Sequence, residues 1–254
     1  MKIVRYDNDG PAWGILDGDK VMAAEGVPFQ DLTPTSVAGR LDEIRLLAPV
    51  EPRTVMCVGR NYKAHAEEFG NEVPERPILF MKPPSSVIGP GEQIVYPPQS
   101  QRVDPEAELV AVIGKRAHQV SRADAMEFIG GFTCGNDVTA RDLQKTDPGQ
   151  QWTRGKGFAT FCPIGPWVET DFDASDVGVT CTVDGETRQD GRTSAFIFDL
   201  PFLVEYISNF MVLEPGDLIM TGTPEGVAPV EVGAEITVAV EGLGTLTNTV
   251  VAPS

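Results

Sequence analysis

Within DPEAELVAVIG, Glu106 and Glu108 stand two residues apart in an alternating stretch. Side chains at that spacing leave the same face of a strand, and Val110 and Val112 continue the face in apolar residues. Two carboxylates set among apolar neighbours repel one another and are costly to bury unless a cation neutralises them. An exposed strand edge carries the same ExE letters, but the apolar continuation weighs against it. A third carboxylate, Asp137 in GNDVTARD, lies on the next extended segment, although a turn residue bonding its own backbone ahead of Thr139 has the same type. Three carboxylates without histidine or cysteine select a hard, oxygen-preferring ion. Magnesium or manganese comes before zinc, with coordination positions left for water and substrate.

The chain has two histidines. His65, in NYKAHAEEFG, has Glu68 three residues on, so one helix face carries both. A carboxylate there orients the imidazole and raises its basicity, as a general base requires; on an exposed helix the same HxxE is ordinary surface. His118 lacks such a partner and reads as structural. Lys156 stands between Gly155 and Gly157 in TRGKGFATFCPIG, where glycines permit close approach. Its ammonium could stabilise a developing oxyanion, or serve as a plain loop lysine. In GDLIMTGTPEGV a strand ends at Gly222 and Thr223, offering a hydroxyl and backbone N–H groups to a substrate carboxylate. No GxxxxGK[ST] and no GxGxxG after a strand occurs, so no nucleotide cofactor is indicated.

Short strands must position these residues. Residues 1–50 alternate apolar runs with Gly, Asp and Pro, which predicts two or three strands in a small β appendage, with 51–254 as the main domain. A strand around Val55 to Val58 then runs into a short helix from about Asn61 to Phe69. Seven prolines between Gly70 and Pro98 exclude long regular elements there and predict loop. SRADAMEFIGG predicts a helix capped by Ser121 and stopped by Gly130 and Gly131. Strands at about 164–170 and 178–183 follow, the second closed by the hairpin dipeptide Asp184-Gly185. DLPFLVEYISNFMVLEPGD predicts a helix capped by Asp199 and ending before Pro215, and the tail a closing hairpin. The balance is mainly β, in mixed sheets.

With 254 residues and 41% hydrophobic content the chain can bury a substantial core. Cys57, Cys134, Cys162 and Cys181 are widely spaced among apolar neighbours and read as reduced core residues, which points to the cytoplasm. No apolar run reaches the ~18 residues of a membrane span. A formal charge of −17 argues against nucleic acid and anionic membrane as partners.

Taken together, VGRNYKAHAEE, DPEAELVAVIGK, GNDVTARDLQ, RGKGFATFCPIGP, RQDGRTS and GDLIMTGTPEGV resemble, in that order, the fumarylacetoacetate hydrolase family from about Arg53 onward. The resemblance implies a mixed β-sandwich roll, a homodimer, and Mg2+ or Mn2+ held by Glu106, Glu108 and Asp137. It also implies a His65–Glu68 catalytic dyad on a lid, Lys156 facing the reacting oxygen, and Arg141, Gln144 and Thr223 near a small 2-oxo acid substrate. The expected reaction is C–C hydrolysis of an acylpyruvate. Oxaloacetate decarboxylation and isomerisation of 2-hydroxyhepta-2,4-diene-1,7-dioate are the alternatives within the family, and a non-catalytic β module with a structural ion is the alternative outside it.

Overall fold

The computed structural model describes residues 1–68, 70, 72–146 and 150–253. Its largest element is an 11-stranded sheet. Across it lie, in order, Thr33–Arg40, Lys20–Glu25, Pro11–Asp17, Lys2–Asp7, Cys162–Glu169, Ile129–Asn136, Ala107–Ile113, Leu218–Met220, Val55–Gly59 and Ile78–Lys82, with Val87–Ile88 paired to Cys162–Glu169. A 5-stranded sheet runs Glu186–Arg192, Gly178–Val183, Glu235–Val240, Gly244–Val251 and Gln93–Val95. The two pack together: Leu109, Ala111 and Ile113 share one apolar cluster with Val179, Cys181, Val238 and Leu246. On the other face of the same strand, Val110 and Val112 join Val55, Cys57, Ile164 and Met220. Ala107–Ile113 is therefore buried on both faces, which explains why Glu108 sits in apolar surroundings. The mainly β, mixed-sheet architecture is the one expected.

Residues 1–50 hold four strands rather than two or three. Pro34 does not interrupt Thr33–Arg40, because that strand is at the sheet edge, where a proline sacrifices no ladder bond. The segment also extends the large sheet directly, Lys2 and Ile3 pairing with Glu169 and Val168. The proline-rich stretch from Gly70 to Pro98 is not wholly loop. It contributes Ile78–Lys82, Val87–Ile88 and Gln93–Val95, each short enough to fit between prolines.

Two expected helices are shorter than their sequence pattern. SRADAMEFIGG gives only a 3-10 turn, Ala125–Phe128, and Ile129–Asn136 passes through the glycine pair as strand. Those glycines serve packing: a Cβ on Gly114 would meet Gly130 Cα at 2.5 Å. The second helix, Leu200–Ser208, begins as expected with Asp199 accepting a hydrogen bond from the Phe202 N–H at 2.9 Å. It stops before Leu213, whose backbone instead exchanges hydrogen bonds with Ala117 at 2.9 and 3.0 Å. The Asp184-Gly185 turn has φ of 51° and 80°, the left-handed pair a two-residue hairpin demands. All four cysteines are buried thiols.

Candidate active site

Antiparallel pairing of Ala107–Ile113 with Ile129–Asn136 sets Ala107 opposite Asn136, and so brings Asp137 beside Glu106. The Asp137 N–H donates to the Glu106 carbonyl at 2.9 Å, and Asn136 Oδ1 accepts from the Glu106 N–H at 3.0 Å. One carboxylate oxygen each from Glu106, Glu108 and Asp137 lies within 4.8 Å of the others, and all three residues are buried. Three side-chain cations reach this cluster. Lys156 Nζ donates to Glu106 Oε2 at 2.8 Å, Asp137 Oδ2 at 2.6 Å and Thr139 Oγ1 at 2.7 Å. Lys82 Nζ donates to Asp137 Oδ1 at 2.5 Å and to the Val138 carbonyl at 3.0 Å. Arg141 spans Glu106 Oε1 and Asp104, its Nε standing 2.8 Å from Asp104 Oδ2.

These cations do not serve the three carboxylates equally. Burial alone would raise the Glu106 carboxyl, but Lys156 and Arg141 outweigh it and hold the group well below the usual range. Burial, then Asp137 and Glu106, push Glu108 well above that range, against a hydrogen bond from the Gly222 N–H at 2.8 Å. Among the described residues no lysine or arginine pairs with Glu108. An all-oxygen donor set with one uncompensated carboxylate fits a hard divalent cation.

His65 and Glu68 share the helix Lys63–Glu68, with Nδ1 3.4 Å from Glu68 Oε2. The helix is aimed by Asn61, whose side-chain amide donates to the Phe198 and Thr221 carbonyls at 3.1 and 2.7 Å and accepts from the Phe198 N–H at 2.8 Å. Glu68 is tethered from below, its Oε1 accepting the Gly226 N–H at 3.1 Å. Burial lowers the His65 imidazole, with Glu106 and Glu68 opposing and Arg141 and Lys156 assisting. Phe69, at the end of the expected helix, lies outside the described residues.

A cavity of about 290 Å³ is bordered by His65, Glu106, Glu108, Asp137, Arg141, Gln144, Lys156 and Thr223, so every candidate residue except Glu68 faces one space. Glu68 stands behind His65. The Thr223 hydroxyl is already engaged: it donates to the Ala107 carbonyl at 2.8 Å and accepts from Gln189 Nε2 at 2.7 Å. Gln189 completes that link by accepting the Ala107 N–H at 2.9 Å. Gln144 Oε1 accepts from Arg141 Nη1 at 2.8 Å. His118 is exposed and does not border the cavity.

Sequence reasoning passed over Lys82, Asp104 and Gln189. Asp104 carried a signal, since it precedes Glu106 by the same two-residue step, with Pro105 obscuring it. Lys82, amid prolines, and Gln189, at a hairpin, carried none.

The fold and site together define a β-sheet protein with a buried three-carboxylate cluster that opens on a cavity. Residues 54–251 match the fumarylacetoacetate hydrolase C-terminal family, and residues 1–49 the Rv2993c-like N-terminal family. The chain belongs to the fumarylacetoacetate hydrolase family, whose members are enzymes, hydrolases and isomerases among them. It is 44% identical to the human mitochondrial oxaloacetate tautomerase FAHD2A, over 82% of this chain and 70% of that protein. The structure of a 2-hydroxyhepta-2,4-diene-1,7-dioate isomerase from Mycobacterium marinum superposes with a TM-score of 0.92 at 41% identity, covering 100% of this chain and 99% of that one. A fumarylpyruvate hydrolase from Pseudomonas aeruginosa, in complex with Mn2+ and pyruvate, superposes with a TM-score of 0.76 at 38% identity, covering 80% and 91% respectively. No described helix is long and apolar enough to cross a membrane.

Proposed function

We propose that the chain is a magnesium- or manganese-dependent hydrolase that cleaves the C–C bond of an acylpyruvate or similar small 2-oxo acid. The observation that carries this reading is the meeting, in one cavity, of a buried three-carboxylate cluster and a buried imidazole backed by a carboxylate. A divalent ion bound by Glu106, Glu108 and Asp137 supplies positive charge for oxygens of the 2-oxo acid that gain electron density during reaction.

His65, oriented by Glu68, takes a proton from water as that water attacks the distal acyl carbonyl. The electron pair of the broken C–C bond leaves into the pyruvate half, whose C3 takes up a proton. One water and one acylpyruvate thus give a carboxylic acid and pyruvate. Lys156 remains an ammonium, because Asp137 and Glu106 outweigh the lowering by burial, and it lends charge to the transient oxyanion. Arg141 and Gln144 border the same space and position the substrate. Thr223, its hydroxyl proton committed to Ala107, contributes its backbone N–H. The formal charge of −17 and the buried thiols support a cytoplasmic enzyme with no nucleic-acid or membrane partner, and the family resemblance supports a homodimer.

A second reading is proton transfer without attack by water, as tautomerisation or isomerisation; the likeness to a tautomerase and an isomerase favours it. Pyruvate release from acetylpyruvate and from oxaloacetate, run beside the decay of enol-oxaloacetate absorbance, decides among them. Metal-dependent release from acetylpyruvate supports the hydrolase, and release from oxaloacetate alone the decarboxylase. Accelerated enol decay without release replaces both with the tautomerase.

A further inference from the structure

The strand that carries Glu108 outruns one of its neighbours. Ala107–Ile113 pairs with Leu218–Met220 over Val110, Ala111 and Val112, and one step further the Thr221 N–H reaches the Leu109 carbonyl at 3.2 Å. At Ala107, between Glu106 and Glu108, side chains take the place of the strand that has ended. The Ala107 carbonyl accepts from the Thr223 hydroxyl at 2.8 Å, and the Ala107 N–H donates to Gln189 Oε1 at 2.9 Å. Gln189 commits its amide nitrogen to the same loop, donating to Thr223 Oγ1 at 2.7 Å and to the Pro224 carbonyl at 2.8 Å. A turn of the Ala107 peptide would redirect the carboxylates on either side of it.

Gln189 is also out of character with its own strand. In Glu186–Arg192, at the edge of the 5-stranded sheet, it is the one buried residue, 1% exposed. A bulge sets it there: Thr187 lies opposite Thr182 and Gln189 opposite Cys181, so Arg188 has no opposite number. Bulges re-aim side chains and recur beside active sites. The bulged Arg188 packs its carbonyl oxygen against Gly226, whose N–H holds Glu68.

We propose that Gln189 is a positioning residue for the metal site: by holding the Ala107 peptide and the Thr223 hydroxyl in one network, it fixes the direction in which Glu106 and Glu108 leave the strand. Gln189 does not border the cavity, so it acts through those carboxylates. This rests on the reading that the three carboxylates hold a divalent ion.

The test is calorimetric titration of Mn2+ into the metal-stripped full chain, for the wild type, Gln189→Met, Thr223→Val, Thr223→Ser and Val21→Ala. Gln189→Met keeps the length of the side chain and removes its hydrogen bonds. It weakens Mn2+ binding roughly 10–100-fold, the loss typical when the support of a metal ligand is removed. Thr223→Val weakens binding too, and Thr223→Ser, which keeps the hydroxyl, retains wild-type affinity. Val21→Ala truncates a buried core residue within residues 1–50; it lowers the melting temperature and leaves the Kd unchanged. A Gln189→Met variant that melts lower but binds Mn2+ like the wild type overturns the proposal, as does equal weakening in Val21→Ala. Should Gln189→Met fail to fold, wild-type affinity in Thr223→Val overturns it as well. Those outcomes leave the metal reading standing, whereas a wild type that binds no Mn2+ overturns both.

Discussion

Glu106 and Glu108 are two residues apart, yet one carboxyl is held well below its ordinary range and the other pushed well above it. The difference is who pairs: Lys156 and Arg141 serve Glu106, whereas Glu108 has a backbone N–H. Glu108→Gln keeps an oxygen for the Gly222 N–H and removes the repulsion, so in chelator the variant melts higher than the wild type, by about 2–4 °C for each kcal/mol relieved. Calorimetry checks this; a lower melting temperature in chelator would contradict it. His65 makes the second residue-scale prediction. Because burial lowers its imidazole below the ordinary ~6.5, the neutral base persists to more acid pH, and kcat/KM falls only as pH drops below that value. Glu68 acts in the opposite sense, so Glu68→Gln moves the acid limb further down, while His65→Ala lowers kcat by roughly 10²–10⁴-fold. A limb unmoved by Glu68→Gln counts against the pairing. The two glutamates and the His65–Glu68 spacing were legible because strand period and helix period place them without knowledge of the fold. Lys82 was not, since only the packed sheet reveals what surrounds it.

At the scale of elements, local signals succeeded where chemistry is local. Asp199 caps its helix and Asp184-Gly185 turns its hairpin as their sequence demands. Signals failed where a distant partner competed. Gly130 and Gly131 look like a helix stop, but close packing of Gly130 on Gly114 and of Gly131 on Val168 and Glu169 keeps them in a strand, and Leu213 leaves its helical pattern to pair with Ala117. The loop bearing Gly226 shows how such long-range fits serve the site. At Gly226, φ is +96°, and a Cβ would fall 1.9 Å from the Arg188 carbonyl oxygen. Gly226→Ala must therefore shift the loop whose N–H holds Glu68. The expected result is a lower melting temperature together with a fall in kcat larger than that of Asp31→Ala. The latter removes the acceptor of the Val27 N–H, in residues 1–50 and apart from the dyad. Equal kcat in the two variants would deny the tether a role.

For the whole molecule, the burial of three carboxylates at the ends of neighbouring strands of the 11-stranded sheet predicts that a bound ion is coupled to stability. An ion that binds the native state alone adds roughly 2.7 kcal/mol at a hundred times its Kd, a rise in melting temperature of about 5–10 °C. The same ion should raise Glu108→Gln far less. The architecture was broadly legible from strand lengths and turns. The continuity of residues 1–50 with the large sheet was not, because it depends on Lys2 and Ile3 finding Val168 and Glu169 across the chain.

The most direct test is the rate of pyruvate release from acetylpyruvate by metal-stripped protein as manganese is titrated in, with Glu108→Gln alongside. The wild type should be silent without metal and rise to saturation, while the variant stays near background at every concentration. A rate that is independent of manganese, or a Glu108→Gln variant that matches the wild type, would contradict catalysis at Glu106, Glu108 and Asp137.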